Sequence, residues 1–143
     1  MPLDRGSGTL PRRASMSNRM LALVADDTEL GRWALAHALQ ARGFEVYTAA
    51  TWVEAAGWLG RADVSVAVVS ASLEPERAPD MAAYLRTRHP ATHVIFLAAE
   101  EEMPLAREWC VDHAEVFLKP LDVERVVAAA AAKVEADRQA KGA

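Results

Sequence analysis

The stretch Leu21-Ala-Leu-Val-Ala-Asp-Asp27 is a short apolar run that ends on two adjacent carboxylates. A run of this length that is apolar on both faces is typical of a strand buried inside a parallel sheet, because helices cover both sides of such a strand. Ligands of open α/β sheets bind at the carboxyl ends of the strands, which is where Asp26 and Asp27 would lie. The pair therefore predicts a site for a cation or a phosphoryl group, unless Asp27 or Thr28 simply caps the following helix.

After this first unit, the chain repeats the alternation of apolar strands and amphipathic helices. Strands are predicted at 21–27, 44–49, 64–70, 94–97 and 116–118, and helices at 28–42, 52–60, 80–89, 100–110 and from Asp122 onwards. Gly43 is expected to stop the first helix, because glycine accepts a left-handed backbone, and Asp80 is expected to cap the third. Five strands that alternate with five helices predict the α/β class, with a flavodoxin-like, doubly wound parallel sheet covered by helices on both faces.

Size and composition indicate one ordinary globular domain. The chain has 143 residues, of which 52% are hydrophobic and 25% are charged, so it can bury a core without disulfides or metal. Its single cysteine, Cys110, excludes an internal disulfide framework and fits a reducing compartment. The sequence has neither a run long enough to cross a bilayer nor a signal-peptide core, so a cytoplasmic location without a membrane partner is expected.

Charge divides the chain into a basic tail and an acidic body. Residues 1–19 carry a net charge of +3 and the whole chain carries −4, so residues 20–143 carry −7. The tail is rich in Gly, Pro and Ser and lacks periodicity, so we expect residues 1–19 to be disordered and residues 20–143 to form the domain. An acidic domain is not expected to bind nucleic acid, because such binding depends on neutralising phosphates.

Polar side chains are expected to meet where the predicted strands end. The first strand contributes Asp26 and Asp27, the third Ser70 and the fifth Lys119, whereas the fourth ends in Ala98. Two carboxylates supply the hard oxygen ligands of Mg²⁺, and a lysine can contact the phosphoryl group that such a cation accompanies. The alternative is an ion pair between Lys119 and Asp27 that only stabilises this end of the sheet. Flavin binding is disfavoured, because the loop after the first strand is acidic rather than rich in Gly, Ser and Thr.

Four of these segments together resemble the receiver domain of bacterial two-component response regulators. They are Leu21–Asp27, Val64–Ser70, Val94–Leu97 and Phe117–Pro120, and the resemblance extends over about residues 20–135. It implies an acidic pair that holds Mg²⁺ and, at the end of the third strand, an aspartate that accepts phosphate from a histidine kinase. It also implies a Ser or Thr at the end of the fourth strand and a lysine on the fifth, both contacting the phosphoryl group, with an aromatic switch residue nearby.

The reacting positions of that pattern are substituted in this chain. Ser70 stands at the phospho-acceptor position, and a shift of one residue places Ala71 there instead, so neither register supplies an aspartate. Ala98 stands at the phosphoryl-contact position and Val116 at the switch position. A hydroxyl would need a base to become a nucleophile, and alanine cannot donate the hydrogen bond that would couple the site to the fourth strand. Asp26 and Asp27 then form a vestigial acidic pocket, for which at most weak Mg²⁺ binding and no other cofactor is expected.

These substitutions predict a signalling adaptor rather than an enzyme. The favoured function is a phosphorylation-independent pseudo-receiver that binds another protein of a two-component-type pathway. The expected partner is a histidine kinase, a regulator or a localisation factor, and a homodimer is a further candidate. The alternative is a receiver that keeps Mg²⁺ and phosphoryl-ligand binding, with input at Ser70 or from a small phosphorylated ligand held by Lys119.

Proteins that resemble this chain bind partners mainly through the face formed by the fourth helix, the fifth strand and the fifth helix. On that face the interface candidates are Arg107, Trp109 and Arg125, because Trp and Arg are enriched in interface hot spots. Helical spacing equally allows a half-buried core position for Trp109. Trp52 and Trp58 on the second helix indicate a second interaction patch, since both rings do not easily face inward together.

Overall fold

The sheet is described by a computed structural model that covers residues 20–104, 114–119 and 122–142. Its five strands are β1 (Met20–Ala25), β2 (Phe44–Ala49), β3 (Val66–Ser70), β4 (His93–Ala98) and β5 (Ala114–Leu118). They form one parallel sheet in the order β2-β1-β3-β4-β5. This order confirms the predicted doubly wound, flavodoxin-like fold.

Within the described part of the chain, three α-helices connect successive strands and a fourth follows β5. They are α1 (Glu29–Ala41), α2 (Trp52–Arg61), α3 (Ala78–Arg88) and α4 (Val123–Gly142). The helix predicted at 100–110 begins as a 3-10 turn at Glu100–Glu102, and residues 105–110 of it lie outside the described residues. The tail predicted to be disordered, residues 1–19, lies outside them as well. None of the helices in the described ranges has the length and apolar character needed to span a bilayer.

Most helix boundaries follow local signals in the sequence. Gly43, two residues after the end of α1, has a φ of 95°, which glycine adopts without steric strain. The side chains of Thr51 and Asp122 each accept a hydrogen bond from the amide three residues later and so cap α2 and α4. The cap predicted at Asp80 is wrong, because a 3-10 turn leads directly into α3, which begins two residues earlier at Ala78.

Helices cover both faces of the sheet, and the strands alternate their side chains between the two layers. One layer packs α2 and α3 against strand residues such as Leu23 and Val69, and the other packs α1 and α4 against Val24 and Val68. The nearly continuous apolar strands follow from this arrangement, since neither face of the sheet is solvated. Because the strands are parallel, their carboxyl ends meet at one edge of the sheet.

The tryptophans of α2 do not form the second interaction patch predicted for that helix. Trp52 is 1% exposed, and its indole N–H donates to the carbonyl of Leu73 over 2.9 Å. Trp58 is half-buried and stacks on Tyr47, with ring centres 4.3 Å apart. Both rings are therefore used inside the domain, whereas Trp33 on α1 is exposed.

Candidate functional site

The site at the carboxyl end of the sheet begins with the two carboxylates that follow β1. Asp26 is 5% exposed, and its Oδ1 accepts hydrogen bonds from the amide and the hydroxyl of Thr28 at 2.9 and 3.0 Å. Its carbonyl accepts from the Arg32 guanidinium at 2.8 Å. A Cβ added to Gly31 would lie 2.6 Å from Asp26 Oδ2, so glycine leaves the space that this carboxylate needs. The start of α1 is thus held by Asp26, rather than capped by the side chain of Asp27 or Thr28.

Asp27 is bonded to the loop that follows β3. Its Oδ1 accepts from the Ser72 hydroxyl at 2.6 Å, and Ser72 Oγ lies 2.8 Å from Ser70 Oγ. Ser72 has a single hydroxyl hydrogen and an ionised carboxylate can only accept, so this hydrogen is donated to Asp27. Ser70 must therefore donate its own hydroxyl hydrogen to Ser72. Ser70 is the last residue of β3 and is 0% exposed.

Lys119, directly after β5, completes this series of contacts. Its Nζ donates to Ser70 Oγ at 2.9 Å and lies 3.9 Å from Glu102 Oε1. The same Glu102 oxygen accepts from the amide of Ala99, the first residue after β4, at 2.8 Å. We refer to these five side chains as the polar network: Asp27, Ser72, Ser70, Lys119 and Glu102. The network joins the ends of β1, β3, β4 and β5 into one hydrogen-bonded unit.

Charges alternate along the polar network. Burial alone raises the pKa of Asp27. This effect is outweighed by hydrogen bonds from Ser72 and the backbone, by the interaction with Asp26 and by the positive charge of Lys119. The pKa of Asp27 therefore lies below its ordinary value. Lys119 has its ion pair with Glu102 and reaches Asp27 only through the two serines. The direct ion pair between Lys119 and Asp27 that the sequence allowed is therefore not the arrangement found.

The two positions expected to carry a switch form an apolar contact instead. Ala98, the last residue of β4, is fully buried together with Ala71. Val116 on β5 and Met103 pack against this pair of alanines. Phe117, the aromatic residue next to Val116, packs against the core layer on the other side of the sheet. Hydrocarbon therefore fills the positions at which the resemblance implies a hydroxyl and an aromatic ring.

The loop after β3 is also fixed to the start of α2. The Glu74 carboxylate accepts from the Trp52 amide at 2.9 Å, next to the bond from the Trp52 indole to Leu73. Glu74 has a φ of 43°, a left-handed conformation that costs a non-glycine residue about 1–3 kcal/mol and persists only where the surroundings hold it. The segment that carries Ser72 is therefore held at both of its ends.

The structure brings the predicted site residues together. Six of them lie at or near the carboxyl end of the sheet: Asp26, Asp27, Ser70, Ala98, Val116 and Lys119. Arg125, an interface candidate, lies on α4, where its guanidinium is 5.9 Å from the centre of the Phe117 ring. The other interface candidates, Arg107 and Trp109, lie outside the described residues.

Sequence reasoning missed two members of the polar network, Ser72 and Glu102. A weak signal existed for each. Ser72 follows Ser70 by two residues, the spacing that places side chains on the same side of an extended chain. Glu102 follows Ala99 by three residues, the spacing at which a glutamate reaches back to an amide at a helix start. Neither spacing predicts that Ser72 contacts Asp27 or that Glu102 contacts Lys119.

The donor set at this edge does not fit a tightly held Mg²⁺ ion. Asp26 and Asp27 supply two carboxylates, but an Oδ1 of each already accepts from Thr28 or Ser72. The resemblance implies a third carboxylate at the end of β3, but Ser70 supplies only a buried hydroxyl there. In the part of the chain that the structure describes, no three Asp, Glu, His or Cys side chains come together as metal ligands. Mg²⁺ affinity depends on how many charged oxygens converge, so this set is a weak one.

Comparison with solved structures gives receiver domains. The chain is similar to a response regulator from Thermotoga maritima, with 19% identity and a TM-score of 0.68 over 82% of this chain and 98% of that one. A signal receiver domain of an HD domain-containing protein from Pseudomonas fluorescens shares 19% identity with this chain. Its TM-score is 0.74, and the match covers 85% of this chain and 99% of that domain. The chemotaxis response regulator CheY4 of Vibrio cholerae shares 20% identity with this chain. Its TM-score is 0.67, and the match covers 82% of this chain and 99% of that protein. At these identities, the likeness shows the fold alone.

Comparison with curated protein sequences gives no significant match. The family described as the response regulator receiver domain matches residues 22–131, which include most of β1, all of β2 to β5 and the first part of α4. That span is most of the chain, and it contains both the acidic pair after β1 and the lysine after β5. By sequence and by fold, the chain therefore belongs to the response regulator receiver domain family of signalling proteins.

Proposed function

We propose that this receiver domain is a phosphorylation-independent pseudo-receiver that acts as a protein-binding adaptor in a two-component-type pathway. The observation that carries the proposal is the state of Ser70, which is 0% exposed and hydrogen-bonded on both sides, to Lys119 and to Ser72. The residue at the acceptor position is therefore neither a carboxylate nor accessible to a phosphoryl donor.

The direction of the hydrogen bonds also opposes attack by Ser70. A serine nucleophile needs a neighbouring base to take its hydrogen. The hydrogen of Ser70 points to the hydroxyl of Ser72. Among the described residues, the only charged group in contact with Ser70 Oγ is the Lys119 ammonium, which donates rather than accepts. Asp27 is an acceptor, but it is two hydroxyls away.

Glu102 supports the proposal from the side of β4. Its carboxylate contacts Lys119 and the amide of Ala99, so the segment after β4 is tied to the lysine by a group that the chain itself provides. In a receiver that responds to phosphate, an incoming phosphoryl group would have to create such a connection. Here it is built in, which is consistent with a single signalling conformation that needs no modification.

The proposed role is non-enzymatic and does not pass through a bound metal, since the donor set is weak. The partner we expect is another signalling protein, such as a histidine kinase, a regulator or a localisation factor. The face with Arg125 is one candidate for that contact, because the Arg125 side chain is exposed and lies over Phe117. The protein is expected to work in the cytoplasm and to bind neither nucleic acid nor membranes.

A second function remains a candidate, namely a receiver that binds Mg²⁺ and a phosphoryl ligand. It is favoured by one observation, the grouping of Asp26, Asp27 and Lys119 at the same edge of the sheet. A phosphoryl group that reached Lys119 would share the ammonium, which has three hydrogens, with Ser70 and Glu102.

Two measurements separate these functions. The chain is first incubated with acetyl phosphate and Mg²⁺ and its intact mass is recorded, with Ser70→Ala as the matched control. The proposal expects no added phosphate in either protein, whereas a stable phosphoprotein that is lost in Ser70→Ala would overturn it.

The second measurement is an amide NMR titration with Mg²⁺ and then beryllofluoride, which mimics a phosphoryl group. The pseudo-receiver predicts no saturable shifts at Asp26, Asp27, Ala98 or Lys119. Saturable shifts that spread from Asp27 into β4 would establish the second function instead.

A further inference from the structure

Helix α1 carries an exposed apolar surface on its outer side. Leu30 is 75% exposed and Trp33 is 63% exposed, although both are large hydrophobic residues. The Trp33 ring stacks on His37, with ring centres 5.3 Å apart and 9° between the planes. Leu35 and Leu39 are buried on the opposite side of the helix, against the sheet. We refer to Leu30, Trp33 and His37 as the α1 outer face.

The α1 outer face is uncharged, although the chain as a whole carries a net charge of −4. Between Glu29 and Arg42, the only Asp, Glu, Lys or Arg residue is Arg32. The Arg32 guanidinium is directed to the carbonyl of Asp26, 2.8 Å away, and so is used at the start of the helix. Exposed apolar side chains that lie together in one patch are a feature of interaction surfaces.

We propose that the α1 outer face is covered by a second copy of this chain, with the two α1 helices antiparallel about a two-fold axis near residues 35 and 36. This arrangement places the large residues of one helix level with small residues of the other. Leu30 lies level with the exposed Ala41 of the second copy, and Trp33 and His37 lie level with the half-buried Ala38 and Ala34, respectively. Ala38 also packs partly against the core of its own chain. A bulky side chain opposite a small one at each level allows two helices to approach closely.

The charges at the two ends of α1 select this orientation. Glu29 lies in the first turn of the helix and Arg42 directly follows its last residue. In the antiparallel pair, Glu29 of each copy is level with Arg42 of the other, so opposite charges face each other at both ends of the contact. A parallel pair would place two Glu29 side chains together and two Arg42 side chains together, which is unfavourable.

Arg42 can take part in such a contact because its partner within the chain is weak. Arg42 Nη2 lies 3.8 Å from Glu124 Oε1, and the two side chains are 42% and 79% exposed. Ion pairs that are exposed to this extent contribute little to stability. With one helix from each copy, the contact is smaller than a typical stable interface, so association is expected to depend on protein concentration.

The test measures self-association by sedimentation velocity over a wide range of protein concentrations. The proposal expects a monomer–dimer equilibrium that Trp33→Ala weakens by about tenfold or more. The matched control is Val53→Ala, which changes another exposed apolar residue, 69% exposed, on α2. Circular dichroism checks that each variant is folded, and substitution of an exposed residue such as Trp33 is not expected to impair folding.

A charge exchange tests the orientation. Glu29→Arg and Arg42→Glu should each weaken the dimer, and the double variant should regain most of the association of the parent chain. Glu124→Gln, which removes the internal partner of Arg42, should leave the dimer intact.

Three results would overturn the proposal. The first is a monomer at every concentration. The second is a dimer that Val53→Ala weakens as much as Trp33→Ala does. The third is a double charge variant that stays as weak as the single ones. None of these results depends on whether Ser70 is phosphorylated, so this proposal and the proposed function fail separately.

Discussion

Lys119 donates a hydrogen bond to Ser70 over 2.9 Å, although 49 positions separate the two residues in the sequence. The contact joins the end of β5 to the end of β3 across the intervening strand β4. It places the one ammonium group of the polar network on a hydroxyl that is completely buried. Lys119 is therefore held within the fold by contacts that the chain itself provides.

The contact predicts that Lys119→Met destabilises the protein. The variant keeps much of the aliphatic stem but removes the donor to Ser70 and the ion pair with Glu102, so the free energy of unfolding should fall by about 1 kcal/mol. Urea denaturation measures this change. The control is Lys133→Met, whose ion pair with Glu115 lies outside the polar network and should contribute less than about 0.5 kcal/mol. Equal losses in the two variants would contradict the role given to Lys119.

The bond from Ser72 to Asp27 predicts an effect that depends on pH. The pKa of Asp27 is lowered in the folded state, so this carboxylate stabilises the protein above the ordinary carboxyl range, and the contribution is lost as the pH falls through that pKa. Ser72→Ala should return the pKa of Asp27 towards its ordinary value. The variant should be less stable than the parent chain at neutral pH, and the difference should narrow below about pH 4.

Urea denaturation at a series of pH values measures this dependence. Ser65→Ala serves as the control, because Ser65 lies before β3 at the opposite end of that strand, and it should keep the pH dependence of the parent chain. A difference between Ser72→Ala and the parent chain that stays constant down to pH 2 would show that Asp27 is not the group involved.

The contacts of Glu102 predict faster hydrogen exchange in Glu102→Ala. The variant leaves the Ala99 amide without the carboxylate that it contacts at 2.8 Å, so the exchange rate of this amide should rise by about tenfold. Exchange measured by NMR reads this amide directly. Glu101→Ala removes a neighbouring acidic side chain that is exposed and should leave the Ala99 rate unchanged. An unchanged rate in Glu102→Ala would mean that the loop after β4 is held by other contacts.

Replacing Trp52 by phenylalanine should lower the free energy of unfolding much more than the same substitution at Trp33. Trp52→Phe removes the indole N–H that the carbonyl of Leu73 accepts and leaves unfilled space in the core, so the free energy of unfolding should fall by about 2–3 kcal/mol. Trp33→Phe alters an exposed ring on α1 and should change the free energy by less than about 0.5 kcal/mol. Thermal or urea denaturation compares the two, and similar losses would contradict the buried position of Trp52.

Gly31 predicts a reversal of the usual effect of alanine in a helix. Alanine in place of a helical glycine normally stabilises a protein by about 1 kcal/mol. At Gly31 the new Cβ would lie 2.6 Å from Asp26 Oδ2 and 2.7 Å from Thr28 Oγ, so Gly31→Ala should destabilise the protein. At Gly60 a new Cβ meets nothing within 4 Å, so Gly60→Ala should stabilise it. If Gly31→Ala is also stabilising, Asp26 does not hold the start of α1 as described.

The fold could be predicted from local patterns because each strand and most of the helix ends are determined by adjacent residues. The run before Asp26 and the glycine at position 43 are examples, and the structure has a strand and a left-handed residue there. The start of α3 could not be predicted from Asp80 in the same way. A 3-10 turn before the helix determines where it begins, two residues before Asp80.

The site could be predicted only as far as the strand ends. The parallel order brings Asp27, Ser70 and Lys119 to one edge, and this follows from the alternation of strands and helices. The side-chain partners did not follow, because the hydroxyl of Ser72 and the carboxylate of Glu102 are recruited by residues 45 and 17 positions away, respectively. Such contacts depend on side-chain directions that periodicity does not encode.

The fixed direction of the hydrogen bonds in the polar network has an evolutionary consequence. A return from serine to aspartate at position 70 would place a group that only accepts beside Ser72, whose single hydroxyl hydrogen is already donated to Asp27. The two carboxylates would then compete for the single hydroxyl hydrogen of Ser72, and the new one would keep only the donor from the Lys119 ammonium. An aspartate at position 70 would therefore break the hydrogen bond that now joins positions 70 and 72. Under the proposed function, a lineage that has acquired this network would tend to keep it.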